Sequence, residues 1–233
     1  MRRPALAVWP KPDAPVSLAS CLREMGEAAR AGLVPPPFPR DAARGTGQPV
    51  IVLPGFCSAD ITTSRLREFL AHQGFSPRAW TCGFNLGPVP SVLAAIEKQV
   101  REEARTQRVA LVGVSLGGTL AREIARRMPE RIYRVVTLAS PVRLPVVSPL
   151  APLAQAAALL WEAEAHAALG RVAAPLPVPL TAIVTPSDGI VDWHCCLPDP
   201  SENAEVIAVP GPHTTMGSNP RVQRIVADRL ARG

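Results

Sequence analysis

The chain has 233 residues, 47% of them hydrophobic, and a formal net charge of +6, which predicts one domain of ordinary α/β size with a large buried core. Its basic residues are nearly all arginines scattered over predicted helix faces, so the charge does not indicate a nucleic-acid partner. A membrane span is not predicted, because no run of about 18 uninterrupted apolar residues is present.

Residues 1–48 form a predicted N-terminal extension ahead of the main domain at 49–233. A Pro-rich start is followed by apolar residues at helical spacing over about 17–31, and Gly32 marks the end of that pattern. The apolar stretch at the start is too short for a secretory leader. We therefore expect a cytoplasmic protein, unless a leader has been removed.

Strands and helices alternate in the main domain. The wholly apolar run at 50–53 is typical of a parallel strand buried on both faces. Further strands are predicted over 77–84, 109–112, 134–139, 180–185 and 205–209, with helices over about 63–73, 91–100, 119–128 and 221–230. A Pro-flanked insert at about 141–179 contains one long Ala/Leu-rich helix, about 153–169. This order predicts a mostly parallel sheet of about six strands with helices on both faces and a short helical cap.

A serine lies in the turn between the predicted strand at 109–112 and the helix that follows. Residues 113–118 read Gly-Val-Ser-Leu-Gly-Gly, and Gly-x-Ser-x-Gly between a strand and a helix is typical of a nucleophile elbow. A serine hydroxyl is a weak nucleophile at neutral pH, so it requires a base, which in turn requires an orienting group. Ser115 is therefore the candidate nucleophile.

The acid and the histidine are expected after later strands, in that order. His213 directly follows the last predicted strand and is the favoured base, with His194 as the alternative. Asp188 directly follows the strand before it and is the favoured acid, with Asp192 as the alternative. The other two histidines lie within predicted helices.

Two backbone N–H groups are predicted to form an oxyanion hole. One belongs to Leu116, the residue after the nucleophile, and the other to Phe56, in the loop after the strand at 50–53. Since only the N–H is used, neither position requires a polar side chain.

Over about residues 48–233 the chain resembles lipases and esterases of the α/β-hydrolase fold, and more narrowly small bacterial lipase-like serine hydrolases. The resemblance rests on four motifs: Pro-Gly-Phe at 54–56, the elbow at 113–118, Ser-Asp-Gly-Ile-Val-Asp-Trp at 187–193, and Gly-Pro-His-Thr-Thr-Met-Gly-Ser-Asn-Pro at 211–220. It implies Ser115 as nucleophile, Asp188 as acid and His213 as base, with Phe56 and Leu116 as oxyanion donors. The implied activity is hydrolysis of carboxylic esters through an acyl-enzyme.

The sequence departs from this family in three ways. Pro54 stands where many lipases have histidine before the oxyanion glycine, and Val114 stands where lipases often have histidine before the serine. The first two strands of the full fold have no counterpart. These departures remove no catalytic group, but they leave the substrate class open. The alternative functions are thioester hydrolysis, amide hydrolysis or acyl transfer on the same triad, and a non-catalytic binding protein of the same fold.

No metal or organic cofactor is expected. His194, Cys195 and Cys196 are adjacent, but no second cluster has zinc-like spacing. Cys57 and Cys82 both follow predicted strands, and a disulfide between them is a further hypothesis.

The expected partner is a small-molecule or lipid ester. The insert helix has an apolar face, formed by Leu153, Ala157, Leu160 and Trp161. Two roles are open for this face: it lines an acyl site or makes transient contact with a lipid surface, or it packs on the sheet.

Overall fold

The computed structural model describes residues 16–159 and 161–233. The start of the predicted Pro-rich extension and Leu160 of the predicted insert face lie outside the described residues. Six strands form one fully parallel sheet in the order β2-β1-β3-β4-β5-β6. Their bounds are β1 Pro49–Leu53, β2 Ser76–Arg78, β3 Val109–Val114, β4 Ile132–Leu138, β5 Leu180–Val184 and β6 Ala204–Ala208. This confirms the predicted parallel sheet.

The helices are α1 Leu18–Leu33, α2 Ser64–His72, α3 Pro90–Glu103, α4 Leu116–Arg127, α5 Ala151–Ala158, α6 Ala163–Gly170 and α7 Pro220–Leu230. Alternate side chains of β1 enter two separate cores, as the period of a strand requires. Val50 and Val52 pack in the core that contains residues of α2 and α7. Ile51 and Leu53 pack in the core that contains residues of α3 and α4. Both faces of the sheet are therefore covered, which accounts for the wholly apolar strand sequence.

The topology brings two loops together at the carboxyl edge of the sheet. The chain runs from β1 outward to β2 and then returns to β3 on the other side of β1, where Leu53 pairs with Gly113. The loops after β1 and β3 therefore leave neighbouring strands in opposite directions, and such a switch point is where open α/β sheets bind ligands.

Two predicted elements are wrong in extent. β2 ends at Arg78 and not at residue 84, because the chain turns out of the sheet and Trp80 N donates to the Asp60 carboxylate at 2.8 Å. The insert contains two short helices, α5 and α6, instead of one helix over 153–169. Between them, Trp161 donates its indole N–H to Leu86 O at 3.1 Å.

α1 forms where predicted, but it does not bury its leucines. Leu18, Leu22 and Met25 are 58–65% exposed, whereas Cys21 and Glu24 are buried. The division into an extension and a main domain stays a prediction.

All five cysteines lie within the described residues and are free, so the hypothesis of a Cys57–Cys82 disulfide is wrong for this structure. Among residues 16–159 and 161–233, no group of three or more His, Cys, Asp or Glu side chains is placed to hold a metal ion. In the same part of the chain, no helix has both the length and the apolar character needed to cross a membrane.

Candidate active site

The turn that carries Ser115 is sharply strained. Ser115 has φ 50° and ψ −123°, a left-handed conformation that non-glycine residues rarely adopt. Its N–H donates to Leu138 O at 2.8 Å, which continues the β3–β4 ladder into the turn. Such a conformation costs about 1–3 kcal/mol and persists only where its surroundings fix it, typically at functional sites.

The flanking glycines are required by close packing. A Cβ on Gly113 would lie 2.3 Å from Gly118 N, and a Cβ on Gly117 would lie 2.3 Å from Leu53 O. Both contacts are with backbone atoms, which cannot move away. The Gly-x-Ser-x-Gly spacing is thus the pattern that lets α4 start directly against the ends of β3 and β1.

The Ser115 hydroxyl opens onto a cavity. Of the residues that the structure describes, none forms a hydrogen bond with Ser115 Oγ, and the side chain is half-buried and lines a cavity of about 590 Å³. The loop after β1 approaches it closely, since a Cβ on Gly55 would lie 3.3 Å from Ser115 Cβ.

Both predicted oxyanion donors line the same cavity. Leu116 is the first residue of α4, so its N–H has no acceptor within the helix. Phe56 N–H makes no bond to another described backbone group, whereas Cys57 N donates to Asn85 O at 2.9 Å. The backbone of the β1 loop is thus held by its neighbours, while the Phe56 N–H has no acceptor among the residues that the structure describes.

Asp188 and His213 form a buried hydrogen-bonded pair. His213 Nδ1 lies 2.7 Å from Asp188 Oδ2, and both residues are at most 6% exposed. Asp188 Oδ1 accepts from Ile190 N at 2.9 Å and from Val191 N at 2.8 Å, which fixes the carboxylate in its turn. Because a carboxylate accepts, Nδ1 carries the proton and Nε2 keeps a free lone pair, as a general base requires.

The pKa of His213 is set by opposing effects. Burial alone lowers it, but the charge of Asp188, the hydrogen bond to Asp188 and the charge of Glu24 outweigh burial and raise the pKa above its usual value. The imidazole is therefore a stronger base than a histidine in water.

The alternative residues form a separate, exposed pair. His194 Nδ1 lies 2.7 Å from Asp192 Oδ1, and their side chains are 50% and 33% exposed. Asp192 also accepts from His194 N at 3.0 Å, so it caps the short 3₁₀ turn that begins at Trp193. Asp188, and not Asp192, contacts His213.

The structure therefore brings two of the three predicted triad residues into contact. Ser115 follows β3, and His213 follows β6 on the same carboxyl edge of the sheet. The described residues include no hydrogen bond between Ser115 Oγ and the imidazole. Such bonds are often long in unliganded enzymes and tighten when substrate binds.

The cap supplies much of the cavity wall. Of the described residues of the predicted insert face, Trp161 lines the cavity, which is one of the two roles considered for that face, but Leu153 and Ala157 do not, and Leu153 is 54% exposed. The α5 residues that line it are Ala151, Ala154, Gln155 and Ala158. The helix is rotated relative to the sequence-based expectation and presents three alanines and one glutamine to the cavity.

Comparisons with known proteins agree with this architecture. A family model described as alpha/beta hydrolase fold matches residues 70–173. The chain has the α/β-hydrolase fold. Similar solved structures include a monoacylglycerol lipase from Paleococcus ferrophilus, with 16% identity, coverage of 81% of this chain and 96% of that one, and a TM-score of 0.62.

Two further structures extend the range of activities found on this α/β-hydrolase architecture. A structure from work on LipS and LipT, two metagenome-derived lipolytic enzymes, has 17% identity, coverage of 81% and 94%, and a TM-score of 0.57. The thioesterase domain from the curacin biosynthetic pathway has 16% identity, coverage of 82% and 92%, and a TM-score of 0.53. No curated protein matches the chain in sequence.

Sequence reasoning missed two buried polar residues at the site. Asn85 is fully buried, and its side chain donates to Pro54 O at 2.7 Å, so it fixes the loop that carries Phe56. Glu24 is 1% exposed and contacts the loops that carry Asp188 and His213. The Gly-rich loop around Asn85 was a visible signal, but nothing in the spacing of α1 distinguishes Glu24 from a surface acid.

Proposed function

We propose that the protein is a serine hydrolase that cleaves carboxylic esters of the lipase/esterase type through an acyl-enzyme. The observation that carries the proposal is the buried Asp188–His213 hydrogen bond, on the sheet edge where Ser115 occupies a strained elbow. The lipolytic enzymes among the similar structures support the reaction class. At no more than 17% identity they support no particular substrate.

The proposed reaction has two steps. His213 takes the proton of Ser115 Oγ as the oxygen attacks the ester carbonyl, and the N–H groups of Phe56 and Leu116 stabilise the developing oxyanion. His213 then gives that proton to the leaving alcohol. Water, activated by the same imidazole, attacks the acyl-enzyme and regenerates the serine. Asp188 holds the imidazole in the required tautomer and stabilises its charged form.

The cavity favours an apolar acyl group. Among residues 16–159 and 161–233, those that line it beside Ser115 include no charged side chain and come mostly from the cap. Leu144, Val147, Leu153 and Leu159 are 50–86% exposed in and around the cap, and a transient contact of this apolar surface with lipid is part of the proposal. The rate should then rise abruptly when an ester passes from dissolved monomers to an emulsion, and smooth saturation would contradict the lipid contact.

Labelling by a fluorophosphonate tests the nucleophile. The wild type should be labelled once and Ser115→Ala should be neither labelled nor active. Ser148→Ala is the matched control, because Ser148 also lines the cavity but should label as the wild type does. An unlabelled wild type would favour a non-catalytic binding protein, and activity retained in Ser115→Ala would overturn the assignment.

Matched ester, thioester and amide substrates, with and without an acceptor alcohol, separate ester hydrolysis from the alternative reactions.

A further inference from the structure

A carboxylate from α1 lies between the two loops that carry the proposed acid and base. Glu24 Oε1 accepts from Gly189 N at 2.5 Å, and Glu24 Oε2 accepts from Thr214 N at 3.1 Å. Gly189 directly follows Asp188, and Thr214 directly follows His213. We call residues 185–192 the acid loop and residues 209–219 the base loop. One side chain thus bridges both loops at the positions next to the reacting pair.

Further contacts fix α1 on the same two loops. Ser20 Oγ lies within hydrogen-bond distance of Gly189 O, at 2.8 Å, and Thr214 Oγ1 donates to Glu24 O at 3.0 Å. A Cβ on Gly189 would lie 2.9 Å from Glu24 Oε1 and 3.1 Å from Ser20 Cβ. The acid loop and the surface of α1 are therefore in contact without room for a side chain between them.

A buried acid is a costly way to pack a helix, since an apolar side chain would cover the same area without desolvating a charge. The cost is partly offset here because both carboxylate oxygens accept from backbone N–H groups, which favours the ionised form. Burial is the largest effect and, with the charge of Asp188, raises the pKa of Glu24 above its usual value, although the two N–H bonds and the charge of His213 act in the opposite direction. In the part of the chain that the structure describes, Cys21 of the same helix is a further titratable group beside Glu24.

We propose that Glu24 is a positioning residue that ties the acid loop to the base loop and so maintains the Asp188–His213 hydrogen bond. The inference rests on the proposed function, because it treats that pair as the acid and base of the reaction. It makes α1 part of the catalytic apparatus, although the helix belongs to the predicted extension. It also gives Glu24 an electrostatic role, since its charge favours the protonated imidazole.

The test is Glu24→Gln, which removes the charge and leaves one acceptor oxygen for two donors. We expect kcat to fall roughly 10- to 100-fold with KM within about twofold, because the base is misplaced while the substrate cavity is intact. The acid limb of the pH profile should move to lower pH, because the pKa of His213 falls without the nearby negative charge. Glu27→Gln is the matched control: it removes the same charge from the same helix, where the contact of Glu27 among the described residues is one of 3.8 Å with the exposed Arg23.

Glu24→Asp tests the length of the side chain separately from its charge. It keeps the carboxylate but is one methylene too short to bridge both loops, so kcat should fall while the acid limb stays near that of the wild type. Rates are expressed per labelled Ser115, which removes the effect of any unfolded fraction. If Glu24→Gln does not fold, the kcat of folded Glu24→Asp decides the question.

The proposal is wrong if both Glu24 variants match Glu27→Gln in kcat per labelled site, including the case in which only their melting temperatures fall. An unlabelled wild type would instead refute the proposed function. In that case the pKa of His213 measured by NMR still tests the electrostatic role: it should be lower in Glu24→Gln than in the wild type, and an unchanged pKa would refute that role.

Discussion

Removing the carboxylate of Glu202 should destabilise the protein strongly, because it is the partner of a fully buried arginine. Arg122, on the elbow helix α4, has a side chain exposed to 0%, and that of Glu202 is exposed to 2%. The two form a bidentate pair, with Nη1 to Oε1 at 3.1 Å and Nη2 to Oε2 at 3.0 Å. The guanidinium also donates to Val172 O at 3.1 Å and to Ala174 O at 2.9 Å.

The expected loss in the free energy of unfolding follows from the unpaired guanidinium that Glu202→Ala leaves in the core. A buried guanidinium keeps its two carbonyl acceptors but loses its counter-charge, and breaking a buried pair from one side costs about 3–5 kcal/mol. Leu176 N, which donates to Glu202 Oε1 at 2.9 Å, also loses its acceptor. A loss of this size is a large part of the roughly 5–15 kcal/mol that holds a typical domain folded.

Urea unfolding measures this free energy by linear extrapolation. Asp41→Ala is the control, because it breaks the Arg224–Asp41 pair, which has a similar distance of 2.8 Å but side chains that are 47% and 69% exposed. An exposed pair of this kind contributes about 0–1 kcal/mol. If Glu202→Ala were no more destabilising than Asp41→Ala, the reasoning that burial sets the strength of this pair would be refuted.

Two further predictions concern the site. The folded state raises the pKa of His213, so protonation of this imidazole stabilises the fold. The stabilisation is fully present below the unfolded pKa of about 6.5 and is lost as pH rises through the folded pKa. The free energy of unfolding measured in urea should therefore fall with rising pH in the wild type, and this fall should be missing in His213→Gln. Ala154→Trp should fill part of the cavity and reduce kcat/KM at least about tenfold more for long-chain than for short-chain esters, a difference of about 1.4 kcal/mol. The exposed Ala156→Trp is its control, and equal losses across chain lengths in Ala154→Trp would show that the cavity does not hold the acyl group.

The sheet and the proposed catalytic positions could be predicted because they depend on short-range patterns. Four consecutive apolar residues at 50–53 indicate a strand buried on both faces, and the glycines around Ser115 indicate a turn with no room for side chains. Asp188 and His213 were found because parallel strands end at one edge of the sheet, so residues just after successive strands are brought together.

The cap could not be predicted in detail because its helices are ended by contacts with distant residues. The Ala-rich sequence favours one continuous helix, yet α5 stops at Ala158, and Trp161 turns away to pack on Gly87 and donate to Leu86 O. In the same way, β2 is cut short by the Asp60 carboxylate, 20 residues before the Trp80 N–H that it accepts. Neither partner is visible in the local sequence of the element that it ends.

Glu24 illustrates a deeper limit of periodicity. A helix on a protein surface normally turns its apolar stripe inward, and on that rule Leu18, Leu22 and Met25 would be the buried side of α1. The structure exposes all three and buries the acid. The reason lies outside the helix, because two loops present backbone N–H groups that need an acceptor. The N–H group nearer in sequence, that of Gly189, is 165 residues away from Glu24. The spacing of hydrophobic residues indicates where apolar area can be buried, but it carries no information about hydrogen-bond donors on distant loops. At this site, the N–H donors of two such loops decide which face of α1 is buried.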